Sequence, residues 1–146
     1  MIVVDASAVA KWFLPEPWQE EALALLAHRE RLAAPDILAL ELRGVLAKRC
    51  RRGEVAEAEA RAAIATFEAA GLVLHPSPPL LAAAFELALA ARHGVHDCVY
   101  LALAVQFDAP LVTGDEKLVA KMARLGLPVR LVPVREIASI LPAAAS

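Results

Sequence analysis

The sequence predicts an α/β fold in which a mostly parallel sheet is covered by helices on both faces. Short apolar runs that suit buried strands alternate along the chain with longer segments of helical pattern. Such connections place successive strands parallel to one another and leave helices on the two faces of the sheet. The length of 146 residues, without a linker, repeat or low-complexity stretch, indicates a single domain over residues 1–146.

The first part of the chain is predicted to form a strand and two helices. Residues 2–5 are predicted to form a buried strand, since a short apolar run ends there at a polar residue, Asp5. Ser7 is a candidate cap for a helix to about residue 13, after which two prolines interrupt the pattern. A second helix is expected over about residues 18–30.

Two helices and a strand are predicted in the middle of the chain. Asp36 is the expected N-cap of the third helix, which ends in a cluster of basic residues before Gly53. Residues 54–70 are expected to form a fourth helix that ends at Gly71, and residues 72–74 a short strand.

Helix and strand alternate in shorter steps toward the C-terminus. After a proline-rich turn, a helix runs to about residue 92, and residues 96–107 are apolar all round, which is typical of a buried helix. Residues 111–112 and 129–132 are predicted strands on either side of a helix over residues 115–125. A short C-terminal helix completes the alternation that supports a parallel sheet.

Composition and charge restrict the class of protein. Hydrophobic residues make up 59% of the chain, yet no apolar stretch approaches the roughly 18 residues of a membrane-spanning helix. The N-terminus lacks the basic segment of a signal peptide, and Cys50 and Cys98 form no disulfide framework. A net charge of −2 argues against nucleic-acid binding through overall positive charge, although a local basic patch remains compatible with it. We therefore expect a cytoplasmic protein without a membrane segment.

Four acidic residues lie where solvated carboxylates are rare. Asp5 and Asp115 follow predicted strands, Glu41 leaves an apolar helix face, and Asp97 opens the buried helix. An ionised carboxylate among apolar neighbours costs free energy unless it is paired or holds a metal. The carboxyl ends of parallel strands are also where α/β folds bind ligands. The four are therefore candidate catalytic residues and ligands of Mg²⁺ or Mn²⁺, which prefer oxygen.

Each acid also has a structural explanation that the sequence leaves open. Glu41 could pair with a buried arginine, and Asp97 and Asp115 stand where helix N-caps are favoured. Asp5 has no such reason to end a strand. A metal site is therefore predicted because the four acids occur together in this order of elements.

Two hydroxyl residues accompany the acids and are candidate catalytic residues as well. Ser7 follows Asp5 by two positions, and Thr113 precedes Asp115 by two. Either hydroxyl could orient a carboxylate, a water or a phosphate oxygen; helix capping for Ser7 and strand propensity for Thr113 are the alternatives. A divalent ion at such a site would make a bound water a better nucleophile and stabilise charge that develops on a phosphate.

Four segments match a known family in order and spacing. They are residues 2–7 (Ile-Val-Val-Asp-Ala-Ser), 40–41 (Leu-Glu), 96–104 (His-Asp-Cys-Val-Tyr-Leu-Ala-Leu-Ala) and 111–115 (Leu-Val-Thr-Gly-Asp). On these segments, which span nearly the whole chain, the sequence resembles the PIN-domain ribonucleases, and among them the VapC-type toxins of bacterial toxin–antitoxin pairs. The third and fourth segments together are the most specific part of the match.

The resemblance implies a three-layer α/β/α sandwich and Mg²⁺- or Mn²⁺-dependent endonuclease cleavage of RNA by the toxin of a type II pair. The family's metal-binding and catalytic residues correspond here to Asp5, Glu41, Asp97 and Asp115, with Thr113 and Ser7 assisting. The resemblance further implies a homodimer and a VapB-type antitoxin that covers the site.

Other classes of protein remain possible on the residues alone. A haloacid-dehalogenase-like phosphotransferase also ends its first strand with an Asp, but it would carry a second Asp where this chain has Ser7. A phospho-receiver would carry paired early acids and a late strand-end lysine, which the chain lacks. A catalytically weak PIN-like domain that binds protein or RNA is favoured by Gly44, which stands where similar proteins often have Asn and which predicts weaker activity.

Overall fold

Five short strands form one sheet, in which every neighbouring pair is parallel. The computed structural model describes residues 1–143, so the last three residues of the predicted domain lie outside the described part. The strands are β1 (Ile2–Val4), β2 (Leu32–Pro35), β3 (Val73–His75), β4 (Leu111–Thr113) and β5 (Leu131–Pro133). Their order across the sheet is β3-β2-β1-β4-β5. The predicted α/β class with a parallel sheet is confirmed.

Helices flank this sheet and give the three-layer α/β/α arrangement. They are α1 (Ala6–Ala10), α2 (Gln19–Leu26), α3 (Ile37–Arg51), α4 (Glu57–Ala70), α5 (Leu81–Ala91), α6 (Val95–Gln106) and α7 (Glu116–Leu125). Short 3₁₀ turns lie at Arg29–Arg31, Pro78–Leu80 and Val134–Ser139, the last where a C-terminal helix was expected. Within residues 1–143, no helix is long and apolar enough to cross a bilayer.

The centre of the core is where β1 meets α6. All three residues of β1 are buried, and the strand pairs with β2 on one side and with β4 on the other. Helix α6 packs on these three strands and is covered by α5, so its residues 98–104 are all buried. A helix enclosed between a sheet and a second helix needs apolar side chains all round. The apolar sequence from which a buried helix was predicted is therefore explained by this position.

Strand β2 was not expected from the sequence. Its residues are Leu-Ala-Ala-Pro, and alanine and proline are both depleted in strands because alanine offers little side-chain contact and proline has no N–H to donate. All four residues are nevertheless buried, between β1 and β3. Burial in the middle of the sheet therefore outweighs a low strand propensity.

Two expected helix caps differ in the structure. Asp36 stands at the N-cap position of α3 but makes no capping hydrogen bond there; its Oδ1 accepts from the Ser77 amide at 3.2 Å and from the Ser77 hydroxyl. Ser7 lies inside α1, and the residue that caps this helix is Asp5. The prediction of Ser7 as a cap is therefore wrong, which leaves its hydroxyl available for the contacts described next.

Candidate active site

The strand order reverses between β1 and β4, and we call the region beyond the carboxyl ends of these two strands the crevice. From β1 the chain moves outward to β2 and β3, and it then returns to the other side of β1 to form β4 and β5. In an open α/β sheet, the point where the strand order reverses is the usual place for a ligand. Asp5 directly follows β1, and Thr113 is the last residue of β4.

Asp5 is held at this crevice by the start of α1. Its Oδ1 accepts hydrogen bonds from the Ala8 amide at 3.0 Å and from the Ser7 hydroxyl at 2.6 Å. Only 7% of the residue's surface is exposed. The carboxyl group is therefore fixed by its own helix turn and largely shielded from solvent.

Ser7 and Thr113 join the ends of the two strands through their hydroxyl groups. Ser7 Oγ lies 3.2 Å from Thr113 Oγ1 and accepts from the Gly114 amide at 2.8 Å, while Thr113 Oγ1 accepts from the Asp115 amide at 3.0 Å. A hydroxyl has one hydrogen, and that of Ser7 goes to Asp5, so any hydrogen between the two hydroxyls comes from Thr113. The two residues thus form one continuous hydrogen-bonded path from Asp5 to the backbone of Asp115.

Gly114 allows the two sides of the crevice to approach. A Cβ at this position would lie 2.8 Å from Lys11 Cε and 2.9 Å from the Ser7 carbonyl oxygen, which is closer than real Cβ atoms come. Lys11 itself is buried, and its Nζ donates to Glu16 Oε2 at 3.3 Å and to the Pro17 carbonyl at 3.1 Å. The absence of a side chain at Gly114 is therefore a geometric requirement of the site.

Burial raises the pKa of Asp5 from 3.8 to about 6. The hydroxyl groups of Ser7 and Thr113 and the Ala8 amide offset part of this rise, whereas the negative charge of Asp97 adds to it. Because burial disfavours the negative charge, a proton or a cation that neutralises this carboxylate is bound favourably.

Glu41 reaches the same region from α3. Its Oε1 is buried and has no hydrogen-bond partner within residues 1–143, and the same holds for the hydroxyl of Tyr100 on α6. Burial raises the pKa of Glu41; the nearby Tyr100 hydroxyl lowers it in part, and the charge of Asp97 raises it further. Burial and the charges of Glu41, Asp5 and Asp97 also raise the pKa of Tyr100, so its hydroxyl stays neutral beside the acids.

Asp97 and Asp115 are less enclosed and turn toward neighbouring groups. Asp97 lies in the first turn of α6 and its Oδ2 contacts His93 Nε2 at 2.6 Å. Asp115 is the N-cap of α7, where its Oδ1 accepts from the Leu118 amide at 3.1 Å. The capping role that the sequence left open for Asp115 is therefore present in the structure.

The charges of three acids act on one another. Asp97 raises the pKa of both Asp5 and Glu41, whereas Asp115 has no such effect on either. Across residues 1–143, none of the four acids is paired with lysine or arginine. Across the same residues, no group of three or more His, Cys, Asp or Glu side chains is arranged to hold a metal ion. The acids lie at one end of the sheet but do not form a complete metal-coordination site in the described residues.

Sequence reasoning missed three residues at this site. Tyr100 faces Glu41, and its spacing of three from Asp97 on a helix could have shown that both lie on one face. His93 and Lys121 contact the site from the turn before α6 and from α7. Their approach depends on the path of that turn, for which the sequence carries no periodic signal.

The chain is similar to known proteins along most of its length. A family pattern described as the PIN domain matches residues 2–125. Ribonuclease VapC3 of Pyrobaculum aerophilum is 36% identical over 133 residues, which cover 87% of this chain and 98% of the relative. Ribonuclease VapC1 of Mycobacterium tuberculosis is 33% identical over 135 residues, which cover 91% of this chain and 97% of the relative.

A solved structure shares the fold. The crystal structure of PAE2754 from Pyrobaculum aerophilum superposes with a TM-score of 0.73 at 24% sequence identity. The match covers 94% of this chain and 86% of that one. At this level of identity the likeness concerns the fold alone, and it agrees with the parallel sheet and helical layers described above.

Proposed function

The chain belongs to the PIN domain family, and on that premise we propose that it is an endoribonuclease that works with Mg²⁺ or Mn²⁺. The observation that carries the proposal is the burial of Asp5 and of Glu41 Oε1 beside Asp97, with no lysine or arginine paired to any of the three among residues 1–143. The family relatives named ribonuclease VapC support RNA as the substrate.

A divalent ion suits the residues at this end of the sheet. Asp5, Glu41, Asp97 and Asp115 would hold it, and they offer only carboxylate oxygens, the ligands that Mg²⁺ and Mn²⁺ prefer. Glu41 Oε1 is a buried acceptor without a donor in the described residues, which is costly unless a cation or proton satisfies it. When bound, the ion would lower the pKa of a water and stabilise charge that develops on the phosphate.

The protein's own residues would orient this chemistry. The Ser7 hydroxyl donates to Asp5 and so fixes the direction of its carboxyl group, and Thr113 in turn holds Ser7. Tyr100 keeps a neutral hydroxyl near Glu41. The overall reaction that we propose is hydrolysis of an RNA phosphodiester, in which water adds across one P–O bond.

Exposed basic residues offer a local surface for the RNA backbone. Lys48, Arg51 and Arg52 are exposed at the end of α3, whereas Arg49 is bound by Glu16 and Glu54. Lys48 is seven residues beyond Glu41 on the same helix, or roughly 10 Å along its axis. A strand that lies over the crevice would therefore reach this cluster within a few nucleotides.

We further propose that the chain acts as the toxin of a toxin–antitoxin pair and binds a VapB-type antitoxin. An apolar groove of about 420 Å³ opens between α2, α4 and the turn that follows α1, with Trp12, Phe13, Leu23, Leu26 and Ala63 in its wall. Such a groove is suited to an amphipathic helix of a partner. A small open reading frame directly upstream that encodes a DNA-binding protein would support this proposal.

A homodimer is the second assembly that we propose. Leu81, Phe85 and Leu89 stand at intervals of four residues on α5, and they are 50%, 56% and 58% exposed. Three large apolar side chains on one exposed helix face are typical of an interface. We expect the wild-type protein to elute as a dimer and Phe85→Glu as a monomer in size exclusion with light scattering. A Glu86→Gln control should stay dimeric, and a monomeric wild type would contradict this assignment.

The cleavage assay is the direct test of the enzymatic proposal. We expect the purified protein to cut RNA internally with Mn²⁺, to stop when EDTA is added, and to resume when excess Mn²⁺ is restored. An Asp97→Asn variant purified in the same way should be inactive, which controls for contaminating nucleases.

One observation favours the alternative of a weakly active binding domain. The four acids do not form a metal-holding group as they stand in the described residues. If the folded protein retards RNA in a gel-shift assay but leaves it uncut with every divalent ion tried, the binding function is the correct one.

A further inference from the structure

We infer that His93 is a positioning residue for the Asp97 carboxylate. Lys121 holds His93 in the tautomer whose Nε2 carries the hydrogen and donates it to Asp97. The inference rests on the proposed function, because it takes Asp97 as one of the metal ligands. It concerns two residues outside the four acids and the two hydroxyls.

The contacts form a chain from α7 to the first turn of α6. Lys121 Nζ lies 2.9 Å from His93 Nδ1 and also donates to the Arg92 carbonyl at 3.0 Å. His93 Nε2 lies 2.6 Å from Asp97 Oδ2. Both ring nitrogens of the histidine are therefore engaged, one by a cation and one by a carboxylate.

The partners determine which nitrogen carries the hydrogen. A lysine ammonium group can only donate, so Nδ1 must accept. The hydrogen is then on Nε2, and an ionised carboxylate can accept it. Lys121 thus selects the tautomer in which His93 donates to Asp97.

This donation leaves the other carboxylate oxygen of Asp97 for a ligand. An ionised carboxylate has about four lone-pair directions on two oxygens, and the contact with His93 uses one of them on Oδ2. A side chain whose rotation is restricted in this way loses less freedom when a cation binds. Partners of this kind, behind the residues that touch a metal, commonly change metal affinity by about 10–100-fold.

The backbone before His93 supports a positioning role. Arg92 ends α5 in the left-handed conformation with φ 50° and ψ 51°, which a residue with a side chain adopts at a cost. The His93 amide then donates to the Ala88 carbonyl at 3.1 Å. These two features end α5 and fix the direction in which the chain leaves it at His93.

The test is the affinity for Mn²⁺ itself, measured by isothermal titration calorimetry without RNA. We expect His93→Asn, whose amide is too short to reach Asp97, to weaken binding by about 10–100-fold. His93→Gln places a donor nitrogen near the position of Nε2 and should keep most of the affinity. Lys121→Met should lose affinity at the lower end of the same range, and Lys117→Met, an exposed lysine of the same helix, should match the wild type.

Three outcomes would count against the inference or its premise. Wild-type affinity in His93→Asn would overturn the positioning role, and so would a His93→Gln variant as weak as His93→Asn, because the loss would then reflect packing. Thermal melts followed by circular dichroism identify any variant that fails to fold, and Lys121→Met then tests the same chain of contacts from its other end. If the wild type itself binds no Mn²⁺, the proposed metal-dependent function fails, and this inference fails with it.

Discussion

Asp5→Asn is expected to abolish RNA cleavage and at the same time to make the metal-free protein more stable at neutral pH. Asparagine keeps an oxygen that can accept from Ser7 and the Ala8 amide, so the start of α1 should remain intact. It removes the negative charge that a divalent ion would need. Loss of activity would therefore arise from chemistry at the crevice and not from unfolding.

The gain in stability follows from the direction of the pKa shift. The folded-state pKa of Asp5 is about 6, above its ordinary value of 3.8, so the folded protein holds this proton more tightly than the unfolded chain. The associated stability is fully present below pH 3.8 and is lost as the pH rises through about 6. At neutral pH the loss amounts to about 3 kcal/mol.

Thermal melts in EDTA at two pH values test this sign. Asp5→Asn should melt above the wild type at pH 7.5 by up to about 10 °C, and the difference should shrink toward pH 4. Asp108→Asn is the matched control, since Asp108 is exposed and its φ of 48° is one that asparagine tolerates. A variant that still cleaves RNA, or one that is less stable than the wild type at pH 7.5, would contradict the assignment.

Gly114→Ala is expected to disturb the crevice more than any other single-methyl change near it. The new Cβ would lie within 2.9 Å of the Ser7 carbonyl oxygen and closer still to Lys11 Cε. The carbonyl belongs to the backbone of α1, and Lys11 is held by Glu16 and Pro17, so neither neighbour can move aside freely. We expect a loss of about 1–3 kcal/mol in the free energy of unfolding.

The same substitution should also reduce cleavage. If α1 moves away from β4, the bond from the Gly114 amide to Ser7 Oγ lengthens and Asp5 shifts with Ser7. A displacement of about 1 Å at a reacting centre can reduce the rate on the order of 100-fold. Urea denaturation and initial rates of RNA cleavage measure the two effects on the same preparation.

Gly44→Ala is the matched control for this prediction. Gly44 is an exposed residue within α3, and a Cβ there would meet no atom within 4 Å. Alanine at this position should stabilise the protein by about 0.5–1 kcal/mol, because glycine costs conformational entropy in a helix. Equal stability of Gly114→Ala and the wild type would mean that the crevice is wider than described.

The sequence predicts most of the fold because apolar runs and helix periods coincide with buried elements. Strand β1 is one example, with all three residues apolar and buried, and helix α6 is another, with a buried run over residues 98–104. Strand β2 escapes prediction, since its alanines and proline are held in the sheet by neighbours on both sides and not by their own propensity. Tertiary contacts determine that these residues form a strand, and the local sequence pattern does not show it.

The site is predicted as a set of residues but not as a geometry. Asp5, Ser7 and Thr113 could each be named from their positions, yet the hydrogen bond between the two hydroxyls joins residues that are 106 positions apart. Asp36 shows the opposite error, because its position fits a helix cap while its carboxyl group binds Ser77 from another segment. Contacts between distant segments depend on the assembled sheet, which a single sequence does not describe.

The position of β1 also bears on when the protein can become active. Asp5 is synthesised before the strand that carries Thr113, which is made more than a hundred residues later. Until then the central strand lacks one of its two neighbours and the crevice has a single wall. Whatever reaction this crevice performs, a nascent chain cannot perform it before β4 has been made and has paired with β1.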